Sequence, residues 1–235
     1  MTKRTRTGQK IFVLSAEDLT GPLNDVEKIY APKEIFAVGP MEIPLPKPRV
    51  AIVGSRKASP DGLETAGRIA RILVGEGAVI VSGLAEGIDT AAHTAALGAR
   101  GRTIAVLGTP LDRVFPSRNS DLQDEIMRNH LVMSQFPIGS HIWPKNFVIR
   151  NRTMALISNA SIIVEAGETS GSLHQGWEAL RLGRPLFIWK SVLENQKLKW
   201  PEKMLAYGAI ELDDPEQLAD VLPSSERIIK IAARI

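Results

Sequence analysis

The chain has 235 residues, 44% hydrophobic, 23% charged and 5% aromatic, with no cysteine. That length suits one α/β domain with a short extension, and the missing cysteines exclude a disulfide scaffold, a thiolate nucleophile and a Cys-ligated metal site. The formal charge of +3 is uneven, because Lys3, Arg4, Arg6 and Lys10 stand in the first ten residues without an acid, so any polyanion site in the near-neutral remainder needs local clustering.

No apolar run approaches the ~20 residues of a membrane-spanning helix, and the basic N-terminus lacks the apolar stretch of a signal peptide. The expectation is a soluble, cytoplasmic protein without membrane contact. His93, His130, His141 and His174 show no close pairing, so no metal site is expected.

Residues 1–48 read as a proline-punctuated lead-in in which only Lys10–Leu14 and Ile35–Val38 look regular; packing on the main domain and a solvated tail are both open. Residues 49–223 form the main domain and 224–235 a C-terminal tail. Within that domain short β-branched runs alternate with amphipathic stretches, the pattern of a parallel sheet with crossover helices. The predicted strands are Val50–Val53, Val79–Val81, Thr103–Leu107, Leu131–Ser134, Ser161–Val164 and Leu186–Ile188. Leu63, Ala66, Ala70, Leu73 and Val74 share one helical face, with Ser59 and Pro60 as cap and first turn and Gly75 or Gly77 as stop. Further helices are predicted over Ile88–Leu97, Leu122–Arg128, Phe147–Ile157 and Leu173–Leu182. The strands are apolar throughout rather than alternating, so both sheet faces should be covered, giving an α/β, doubly wound, mostly parallel sheet.

Ligands of such sheets bind beyond the carboxyl ends of the strands. Those ends carry Gly54-Ser55-Arg56, Gly83-Leu84-Ala85-Glu86-Gly87, Gly108-Thr109-Pro110 and Gly167-Glu168-Thr169-Ser170-Gly171-Ser172. Glycine lets backbone N–H groups approach an anion, and a helix N-terminus adds partial positive charge at the same place. Each loop alone is equally an ordinary tight turn; together they describe a phosphate-binding rim. Neither GxGxxG nor GxxxxGK[ST] occurs, so no nucleotide cofactor is expected.

A second basic element is Trp143 to Arg152, inside a stretch from Ile126 to Val164 without Asp or Glu. Lys145, Arg150 and Arg152 are candidates to grip phosphates with Asn151 between the arginines, and Trp143 or Phe147 to stack a base, although rim packing serves the aromatics equally. Arg150 and Arg152 cannot both face one way with Asn151, so one of them can pair elsewhere. Asp89 and His93, four apart on one helical face, read as a helix-start cap with a neighbouring histidine, or as a catalytic pair. Glu165 either orients its loop or is a general base for cleaving a glycosidic bond. Ser170 and Ser172 lack a base partner, and no catalytic constellation is recognised.

Taken in order, Val50-Ala51-Ile52-Val53-Gly54-Ser55-Arg56, Val81-Ser82-Gly83-Leu84-Ala85-Glu86-Gly87-Ile88-Asp89 with His93, Thr103 to Gly108, Phe115-Pro116, Asn146-Phe147 with Arg150-Asn151-Arg152, and Glu165-Ala166 with Ser170-Gly171-Ser172-Leu173 resemble the DNA-processing protein A family, also called DprA or Smf. The resemblance spans roughly residues 28–190. It implies an extended Rossmann-like fold, frequently a homodimer, that binds single-stranded DNA at the strand-end pocket and hands it to RecA in natural transformation, or competence, without a chemical reaction. Carried onto this chain, Arg56, Lys145, Arg150 and Arg152 would hold phosphates, and the Gly83–Gly87 and Ser170–Ser172 loops would supply donors. After about Pro223 no winged-helix module is expected. The alternatives are a nucleotide-binding enzyme or sensor related to phosphoribohydrolases, with Glu165 as acid or base, and a structural adaptor whose pocket is empty.

Overall fold

Apolar residues occupy consecutive positions in the central strands because each strand lies between two layers of helices. The computed structural model describes Thr5 and residues 8–218. The lead-in contributes β1 (Phe12–Leu14), α1 (Ala16–Thr20), α2 (Asp25–Lys28) and β2 (Ile35–Val38). Next come β3 (Arg49–Gly54), α3 (Pro60–Gly75), β4 (Val79–Ser82), α4 (Ile88–Gly98), β5 (Thr103–Leu107), α5 (Ser120–Asn129) and β6 (Leu131–Ser134). The second half holds α6 (Pro144–Ile157), β7 (Ala160–Glu165), α7 (Ser172–Arg181), β8 (Leu186–Trp189), α8 (Lys190–Leu193), α9 (Trp200–Ala206) and β9 (Ile210–Leu212). The C-terminal tail predicted over 224–235 lies outside the described residues.

These strands form one nine-stranded sheet in the order β1-β2-β6-β5-β4-β3-β7-β8-β9. All pairs from β6 to β9 are parallel; β1 with β2 and β2 with β6 are antiparallel. The sheet is doubly wound, as its apolar strands predict. Val50 and Ile52 join Ala66, Ile69, Ala70 and Leu73 of α3 in one buried cluster, while Ala51 and Val53 join Met154, Leu156 and Ile157 of α6 and Ala179 of α7 in another. Alternation along a strand thus sends successive side chains into opposite layers. Burying each of the valine, leucine, isoleucine and methionine side chains among these stabilises the fold by about 1.5–3 kcal/mol, and each alanine methyl by less.

Ser59 caps α3 by accepting from the Gly62 N–H, with Pro60 in the first turn, and Gly77 leaves the helix at φ +78°. Both ends therefore match the signals in the sequence. β2 is wholly buried, with Phe36 opposite Ser134 and Val38 opposite Val132. Arg49, buried at the start of β3, donates to the carbonyls of Ile157, at the end of α6, and Leu45. Burial pulls its pKa down to about 10. The lead-in, the sheet and a helix C-terminus are joined at this one side chain.

The winding reverses between β3 and β7. The chain moves from β3 through β4 and β5 toward β6, then returns through α6 to place β7 on the other side of β3. A crevice opens beyond the carboxyl ends of β3 and β7, as the topology requires.

Candidate functional site

A cleft of about 510 Å³ occupies this switch point. Its floor is the end of β3, Val53 to Lys57; one wall is the start of α6, with Pro144, Phe147 and Val148, and the opposite wall is the loop from Gly167 to Ser172 leading into α7. Both helices begin without an acid in the first turn and without a side-chain cap. The positive ends of their dipoles therefore meet the cleft without an opposing first-turn acid, although the Asn146, Leu173 and His174 N–H groups are taken up by the carbonyls of Trp143, Ser170 and Gly171. Arg56 and Lys57 stand exposed on the rim, and among the described residues neither has an ion-pair partner.

Of the residues singled out from the sequence, Gly54, Ser55, Arg56, Arg150, Asn151, Ser170, Gly171 and Ser172 line this cleft. The Ser170 and Ser172 hydroxyls share a hydrogen bond of 2.7 Å, and Asn151 donates to the Gly171 carbonyl at 2.9 Å, tying α6 to the loop across the cleft. Gly83 and Gly108 line an adjoining recess of about 150 Å³ with Phe115 and Leu107. Phe147 and Arg56 belong to both spaces: the guanidinium lies over the Phe147 ring at 5.3 Å, and Phe115 packs on that ring at 5.4 Å. Gly87 precedes α4 behind the cleft at φ +76°, where an added Cβ would lie 2.2 Å from the Ser55 carbonyl oxygen.

The basic strip does not converge as one unit. Arg150 is 5% exposed; its guanidinium donates to the carbonyls of Gly83 (2.5 Å) and Val106 (2.7 Å) and to Asn151 Oδ1 (2.9 Å). A Cβ on Gly83 would sit 1.8 Å from that guanidinium, so glycine there makes room for Arg150. Arg152 leaves the opposite side of α6 and covers the Tyr30 ring at 4.5 Å, with Arg181 over the same ring at 4.8 Å. Lys145 is exposed at the first turn of α6, outside the cleft lining. Helical geometry turns Arg150 away from the other two, since positions two or five apart do not share a face, whereas Lys145 and Arg152, seven apart, lie two turns apart on the same side.

Asp89, 5% exposed in the lining of the cleft, accepts from the Gly83 and Ala85 N–H groups, so it and Arg150 grip the two sides of the same loop. Burial pushes its carboxyl up, against the pull of Arg150 and those amides. His93 Nδ1 is 2.7 Å from the Thr103 hydroxyl, and burial drives its pKa from 6.5 to about 3, which keeps the ring neutral. Both belong to the scaffold of the loop. Glu165 accepts from the Ser59 N–H and hydroxyl and so braces the start of α3. Sequence reasoning missed Lys57 and the Phe115 recess; the first follows Gly54-Ser55-Arg56 directly, whereas the second depends on a loop meeting α6 in space. No group of three or more metal-ligating side chains is found among the described residues.

Comparison with known proteins gives one reading. The sequence matches the family described as DNA recombination-mediator protein A over residues 12–223. It is 44% identical over 164 residues to DNA processing protein DprA of Streptococcus pneumoniae, covering 69% of this chain and 57% of that protein. The fold superposes on the crystal structure of that organism's DprA with a TM-score of 0.76 at 32% identity, over 92% of this chain and 75% of the other. A Helicobacter pylori DprA structure, described for its single-stranded DNA binding mode, gives 0.73 at 26% identity over 94% and 97%. The chain belongs to the DNA recombination-mediator protein A family.

Proposed function

We propose that this protein binds single-stranded DNA in the cleft between β3, α6 and α7, as a non-catalytic, cytoplasmic DNA-processing protein. The observation that supports this most is the meeting of the starts of α6 and α7, neither with an acid in its first turn, with Arg56 and Lys57, which have no ion-pair partner among the described residues; the carboxylate in the cleft lining, Asp89, is turned to the Gly83 and Ala85 N–H groups. Such a site suits successive phosphates. The backbone and hydroxyl groups of Ser55, Ser170, Gly171 and Ser172 add donors. The Helicobacter pylori relative's single-stranded DNA binding supports the choice of polymer. Family membership supports natural transformation as the pathway and RecA as the recipient of the strand, and apolar side chains exposed at both sheet edges, Val13 and Ile210, suit a homodimer. Glu165 is engaged by the Ser59 N–H and hydroxyl at the start of α3, which disfavours its service as an acid or base in nucleotide cleavage.

Titration of labelled oligo-dT with wild type and Arg56→Ala tests the reading. The variant should bind mixed sequences and oligo-dT more weakly by the same factor, because phosphate contacts carry no base information. Absence of binding by the unaltered protein at low salt overturns the proposal.

A further inference from the structure

Phe147 is engaged with Phe115 and with Arg56, and Trp177 packs edge-on against Tyr207 at 5.4 Å. Trp143 differs. It is 53% exposed, its ring rests against the imidazole of His141 with centroids 4.2 Å apart, and it immediately precedes Pro144 in the cleft wall. The helix start holds its backbone: Trp143 occupies the N-cap position of α6 in extended conformation, and its carbonyl accepts from the Asn146 N–H at 2.9 Å. Exposed Lys145 stands two residues on, within the stretch that contains no acid between Ile126 and Val164.

We infer that His141 and Trp143 form a stacking platform for an unpaired nucleobase of a strand that leaves the cleft over Pro144. A ring already packed on one neighbour loses little freedom when a base covers its remaining surface, and every base offers a π-face, so the contact is indifferent to sequence. Lys145 holds the phosphate beside that base. The platform lies outside the cleft, so it extends the length of strand gripped rather than creating the grip, and it rests on the reading of the cleft as a single-strand site.

The test compares oligo-dT of about 4 and about 16 nucleotides, which brackets the usual site sizes of single-strand binders. Trp143→Ala should weaken the longer oligomer about tenfold, in line with the loss of one stacked base, and leave the shorter one unchanged. Trp143→Phe should restore most of the loss. Wild-type affinity of Trp143→Ala for both lengths overturns the platform while leaving the cleft standing. Equal weakening at both lengths also overturns it, since Trp143 would then belong to the cleft or to the fold. If the unaltered protein binds neither oligomer, the cleft reading fails and the platform with it.

Discussion

Arg150 and Arg152 have the same side chain on the same helix, yet their surroundings give them opposite work. Arg150 is sealed among the Gly83 and Val106 carbonyls with Asp89 beside the same loop, whereas Arg152 lies over a half-exposed tyrosine. Arg150→Met takes the donors from two buried carbonyls and removes the positive charge near buried Asp89, which keeps its two backbone amides, and should cost about 3–5 kcal/mol. Arg152→Ala gives up an exposed cation–π contact and should cost no more than about 1 kcal/mol. Urea unfolding separates the two outcomes. His93 adds a dependence on pH. The folded protein keeps the ring neutral down to about pH 3, while the unfolded chain protonates it near 6.5. Its contribution is therefore whole above pH 6.5 and is lost on acidification toward pH 3, at up to about 1.4 kcal/mol per pH unit. Asp89 works in the opposite sense, because a raised carboxyl pKa makes stability fall as pH rises. Comparing wild type with His93→Gln isolates the histidine: the wild type should lose more stability than the variant between pH 7 and pH 5.

At the level of elements, helix starts decide what is available to a ligand. α3 is closed by Ser59, itself held by Glu165, while α6 and α7 are left open. Ser59→Ala should cost about 1–2 kcal/mol in thermal or urea unfolding and leave oligonucleotide affinity unchanged once folded. The elements that the sequence announces most plainly are those with local causes. The α3 cap and stop, the extent of β5 and β6, and β2 over Ile35–Val38 all follow from apolar periodicity and turn residues. Of the candidate site, Arg56 and the hydroxyl loop before α7 were legible because strand ends in this topology face one crevice. The division of the basic strip was not, since it depends on which sides of α6 meet the β4–α4 loop and Tyr30. β9 and the two short helices α8 and α9 were also silent, being too brief to show a period.

For the whole molecule, charge is nearly balanced, so affinity for a polyanion has to come from a few positions. Arg56, Lys57 and Lys145 offer three exposed cations near the cleft, and a single strand neutralised by three charges gives a slope of about −2 in log affinity against log salt concentration. A slope measured by anisotropy that is much steeper would mean that the basic residues at the N-terminus take part as well. The opposite sheet faces are filled by separate apolar clusters, so the rim is framed by two rigid layers that should hold the loops at fixed separation.

The pairing of β3 with β7 joins positions 110 residues apart in the chain. During synthesis Arg56 leaves the ribosome long before Ser172 exists to face it, and the lead-in strand β2 waits for β6. On a growing chain the cleft therefore cannot be complete before α7 has emerged. A message cut anywhere before the seventh strand would yield a protein that lacks the Gly167–Ser172 wall and the strand on which β3 closes the crevice.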